Sequence, residues 1–225
     1  MMDTTEKLYK WLRSDRTTPV QGVKWPKRIG AWTAEETPVL CESGWHGVEA
    51  KDAMEYFQSG LVLWEVEVRG ERVDGSNKFA VSSMRLVREI GSPTDKTLRL
   101  LACDIAEDVL HFYEERYPKD SRVRDCIEVA RRYANGEATE QERDAAGVAS
   151  YAAYAAASAS ASYASYAAYA ASAYAYAYAA SAASSASSAA SAAYAAAAAY
   201  AAYAAYAAAR KKYSQWLVDA IEAQS

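Results

Sequence analysis

Cys41, Glu42 and His46, in the run CESGWH, are the side chains whose types and spacing come closest to a reactive constellation. A thiol with an imidazole five residues later invites a nucleophile and base reading. No oxyanion motif, Gly-rich loop or orienting acid can be placed with them, so a structural turn is the expected role, with an enzyme site near His46 as the alternative. The remaining cysteines, Cys103 and Cys126, complete no CxxC or Cys/His spacing, which predicts neither a disulfide framework nor a metal site, and no cofactor. Cys126 falls on an apolar helical stripe and reads as a small core residue. His111 lies off such a stripe and reads as solvated. Asp104, Glu107 and Asp108 line the polar side of one helix, a solvated face open to a partner.

The second candidate chemistry is aromatic. After Val148, every residue to Ala209 is Ala, Ser or Tyr. Alanine has the highest helix propensity, so this block is expected to be helical, and its short side chains let helix axes approach closely. Tyrosines supply the bulk. Those at spacing three, such as Tyr200, Tyr203 and Tyr206, fan around a helix and bury rings between neighbours. Tyr174, Tyr176 and Tyr178 are spaced by two, which turns Tyr176 away from the others and makes this group the expected partner-contact rings, together with Asp104, Glu107 and Asp108. The block is long and uncharged, yet without Leu, Ile or Phe it does not predict a membrane span.

The elements that must position these residues follow from periodicity. LVLWEVEV, Leu61 to Val68, alternates so that Val62, Trp64, Val66 and Val68 share one face of a strand. Gly70 and the DGSN run read as turns, followed by one or two further strands. LYKWLR and TPVQGVKW read as short strands, and EAKDAMEYF as a short helix. Beyond GSPTD the period changes to a helix carrying Leu98, Leu101, Ile105, Val109 and Phe112, ended by Pro118. Ser121 is expected to cap a second helix that buries Val123, Cys126, Ile127, Ala130 and Ala134. Thr139 and Glu142 form a capping box for a third. From there an unbroken helix to Ala223 would run about 125 Å, so the serine clusters, from Ser158 to Ser162 and from Ser181 to Ser191, are the expected turns of antiparallel hairpins. The predicted fold class is α+β: a small N-terminal α+β module over residues 1–92, then an all-α helical-hairpin bundle over 93–225 containing the array 148–209.

Charge narrows the partners. A net charge of -4 and a pI near 5.4 argue against nucleic acid. No basic flank precedes an apolar run at the N-terminus, so no secretory signal is expected and the cytoplasm is the expected compartment. The segment from Leu98 to Ala146, with its R.CIEVAR.YANGEAT run and the aromatic-alanine array behind it, resembles a putative immunity-protein family of bacteria and phages associated with polymorphic toxin systems. That resemblance implies a non-enzymatic protein that binds a toxin or effector and neutralises it by covering its surface. YKWLR, GVKWP, CESGWHGVEAKDAMEYF, LWEVEVRGERV and KFAVSSMRLVREI are similar to an uncharacterised actinobacterial and phage module. A structural or surface-adsorbing, ice-binding-like helical protein is the remaining alternative, and the bulky tyrosines interrupt the flat face it would need.

Overall fold

The computed structural model describes residues 7–158 and 208–224. These form two compact units. Described residues through Ser92, with those from Ser214 on, make one, and those from Pro93 to Tyr213 make the other. The chain is therefore α+β, with an antiparallel sheet followed by helices.

The first unit is a closed four-stranded barrel in the order β1-β2-β4-β3, with β1 Leu8–Arg13, β2 Trp45–Glu49, β3 Leu61–Asp74 and β4 Phe79–Gly91. All its pairings are antiparallel, and Trp64 stands opposite both Lys10 and Glu89. Closure leaves no free sheet edge. Leu8, Leu12, Trp64, Val66, Phe79, Met84 and Leu86 fill the interior, with Val62 and Val68 packed against them. The predicted face of β3 thus points inward. On the opposite face Leu61 and Leu63 are buried too, whereas Glu65 is half-buried and Glu67 exposed. Residues from Ser214 on help to cover this unit: Glu222 reaches Lys7 at 3.0 Å and the Tyr9 hydroxyl at 3.2 Å, the Met54 N–H donates to Ser214 Oγ, and Ile221 lies beside Gly91.

Two N-terminal expectations change. Gly70 sits inside β3, at φ +82° with Ser82 against it, where the register slips between Arg69 and Arg72. Glycine here permits a bulge within a long strand rather than a turn between two. TPVQGVKW forms no strand: only its Lys24 is bridged, to Thr17 just ahead of the run, because Pro19 has no N–H to give a ladder and Gly22 turns left-handed. The EAKDAMEYF segment is a short helix as expected, of 3-10 type, Ala50–Tyr56.

In the second unit, Thr94 caps α1, Asp95–Asp108, by accepting the Thr97 N–H at 3.1 Å. The helix expected to run on to Pro118 breaks at Val109, and α2, Leu110–Arg116, begins there. In α2 Tyr113 is buried and Phe112 only half so. α3, Arg122–Ala134, buries the five predicted residues. Its first turn is capped by Asp120, which accepts the Arg122 N–H at 3.2 Å, whereas the Ser121 hydroxyl turns to Asp125. The Thr139 and Glu142 capping box opens α4, Glu140–Ser158, as expected, with reciprocal bonds of 3.2 and 2.7 Å. α4 buries Arg143, Gly147, Ser150 and Ala153, a mostly small-residue stripe. The second serine cluster, nearly all of the first, and Tyr174, Tyr176, Tyr178, Tyr200, Tyr203 and Tyr206 lie outside the described residues.

Candidate functional site

Cys41 and His46 do meet, but through the backbone. Cys41 is left-handed at φ 68°, and its N–H donates to His46 Nε2 at 3.0 Å. An imidazole that accepts there carries its proton on Nδ1, so the lone pair a thiol would need is already engaged. Burial first, then the nearby Lys10 and Lys78, lower the His46 pKa. The arrangement is a clamp on the loop before β2. His111 is exposed, with Nδ1 3.2 Å from the Asp108 carbonyl. Cys103 and Cys126 are buried free thiols, pushed up to about 12 and about 11 chiefly by burial, which makes them inert at neutral pH.

The acidic trio is held by cations. Arg131 reaches Asp104 and Glu107, each at 2.6 Å. Asp108 pairs with Lys212 and accepts the Tyr213 hydroxyl at 2.8 Å. Sequence spacing placed the three on one helix, while the partners come from α3 and from residues beyond 207. Asp104 and Glu107 stay about half exposed, at 46% and 55%. They can still face a partner.

Three features escaped the sequence reading. Lys10 shares the inward face of Leu8 and Leu12, donates to the His46 carbonyl at 2.6 Å, and is lowered to about 8 by burial and by Lys78. Its signal was a lysine at the alternating position of an apolar strand. Asp120, Tyr113 and Arg122 form a tie at the α2–α3 turn, the Tyr113 hydroxyl donating to Asp120 at 2.7 Å and Arg122 Nε at 2.8 Å. Both holdings keep the Asp120 carboxyl well below the usual range, the Arg122 bond most. A cleft of about 500 Å³ beside the β3–β4 turn is self-neutralised, as Arg72 pairs with Glu49 at 2.8 Å and Asp74 at 2.6 Å. Among the described residues no group of His, Cys, Asp and Glu could hold a metal ion, and no helix is long and apolar enough to cross a membrane.

These side chains tie the fold together and leave no reactive pair among the candidates, so the comparisons with known proteins weigh on the binding reading. Residues 88–224 match the family model described as Imm-5 like putative immunity protein. The chain belongs to that family. Residues 6–97 match a second model, Domain of unknown function (DUF7666). No curated protein and no solved structure matches. The Imm-5 like region takes in α1 to α4 and the acidic trio, whereas Cys41 and His46 lie outside it.

Proposed function

We propose that this chain is a non-enzymatic, cytoplasmic immunity protein that binds a protein toxin or effector and neutralises it by covering its working surface. The observation that carries this reading is the Imm-5 like match over residues 88–224. We take 93–225 as the helical binding domain, with 148–209 folded as antiparallel hairpins, and 1–92 as a separate module. Asp104, Glu107 and Asp108 supply charge to the contact, and Tyr174, Tyr176 and Tyr178 supply rigid aromatic area at small entropic cost. The half-exposed carboxylates of Asp104 and Glu107 support the first assignment.

The test is co-expression with the toxin whose gene neighbours this one. Cells should survive, and the two proteins should co-purify. Glu107→Gln and Tyr176→Ala should each weaken the complex, by about 2 kcal/mol where the residue is a hot spot, with little change in melting temperature. Survival without a complex would overturn the covering mechanism, and loss of protection on His46→Gln in a folded protein would favour the enzyme.

A further inference from the structure

Lys10 places a charge where the barrel is otherwise apolar. In β1 it alternates with Leu8 and Leu12, two residues of the barrel core, and it is half-buried where they are buried. Trp64 stands opposite it on β3. On the other side Tyr9 faces Val48 and Gly47 faces Phe79, so β2 brings Lys10 close to the start of β4, where Lys78 precedes Phe79.

Charges taken out of water are ordinarily paired with an opposite charge. Among the described residues neither Lys10 nor Lys78 is in an ion pair. The two cations act on each other instead, and both act on His46. Burial first and the Lys78 charge second lower the Lys10 amine from 10.5 to about 8, so roughly a tenth of it is the neutral nucleophile at about pH 7. Its Nζ donates to the His46 carbonyl at 2.6 Å. That bond uses one N–H and leaves the lone pair of the neutral amine able to react.

The reagent must suit a half-buried amine on an apolar face. An acyl donor on a bulky carrier would have to push aside the core residues beside it, and a free anion would have to shed its water to reach it. Carbon dioxide is small, uncharged and apolar. We propose that Lys10 is a carbamylation site for carbon dioxide, its carbamate held by the His46 carbonyl and the Lys78 ammonium. The amine nitrogen attacks the carbon of CO2, an N–C bond forms as one C=O π pair moves onto oxygen, and the nitrogen releases a proton to water. The product keeps one N–H for the His46 carbonyl. Its carboxylate supplies the negative charge that Lys78 has from no described residue. The same charge favours the imidazolium form of His46, which cannot accept the Cys41 N–H, so the modification loosens the clamp on the loop before β2. Lys10 belongs to the barrel unit and lies outside the Imm-5 like region, so this site is independent of toxin covering.

The full-length protein under ¹³C-enriched CO2 tests it. One carbamate resonance should appear beyond that of the N-terminal amine. At fixed dissolved CO2 it should fade as the pH drops below about 8, where Lys10 holds its proton, and the His46 titration followed by NMR should move upward as it forms. Lys10→Arg keeps the charge and the donor but forms no stable carbamate, and should remove the resonance while leaving the N-terminal signal. Lys78→Gln should weaken it several-fold, and decides the question if the Lys10 variant does not fold. The proposal is overturned if the resonance is absent at saturating CO2, if it persists in folded Lys10→Arg, or if Lys78→Gln leaves it at full strength. A His46 titration that CO2 does not move also overturns it.

Discussion

His46 accepts the Cys41 N–H and sits below its ordinary pKa of 6.5, first through burial and then through Lys10 and Lys78. The folded state therefore resists a proton that the unfolded chain takes up readily. Stability from this group is present above the unfolded value and is lost as pH falls through 6.5 toward the depressed folded value. Melting temperatures should accordingly drop from about pH 7 to about pH 5, ahead of the carboxylate range. His46→Gln keeps an acceptor for the Cys41 N–H but cannot titrate, and should flatten that part of the curve. An unchanged slope would mean that the clamp does not sense protons. The sequence offered the pair but not its meaning, because the five-residue spacing is the same whether His46 meets a thiol or a backbone N–H.

At the scale of elements, the barrel closes where β2 crosses Phe79. A Cβ added at Gly47 would lie 2.5 Å from Phe79 Cζ and 3.1 Å from Met84 Cε, in the filled interior. Gly47→Ala should cost about 1 to 3 kcal/mol by overpacking, read as a shift in urea midpoint at constant slope. Thr139→Ala should cost about 1 kcal/mol, because it leaves the Glu142 N–H at the start of α4 without its cap. A neutral result would place that helix start elsewhere. The capping box was legible because its bonds span three residues. The break at Val109 and the Asp120 cap were not, since α2 and α3 settle them by packing Tyr113 inward and tying it to Asp120.

At the scale of the whole molecule, the last residues join the barrel unit. Leu217, Val218 and Ile221 are buried, and Glu222 binds Lys7 and Tyr9. All six tryptophans belong to this unit, so their fluorescence follows its unfolding. Ile221→Ala should lower that transition by about 2 to 5 kcal/mol, the cost of a large core truncation. A fluorescence transition that does not move would detach the C-terminus from the barrel.

Sequence alone determined what short-range physics controls. The alternation of LVLWEVEV made a strand, the stripe through Val123, Cys126 and Ile127 made α3, and the R.CIEVAR.YANGEAT run pointed to the immunity family that the match over 88–224 bears out. The tertiary structure decided what depends on distant partners. Periodicity reports the covered face of an element but not what covers it, so the barrel closure, Lys10 inside it and the union of residue 214 onward with β1 stayed out of reach. Asp104, Glu107 and Asp108 mark the same boundary. Helical spacing put them on one face, and only the fold brought Arg131, Lys212 and Tyr213 to meet them, because an ion pair forms between side chains close in space whatever their separation along the chain.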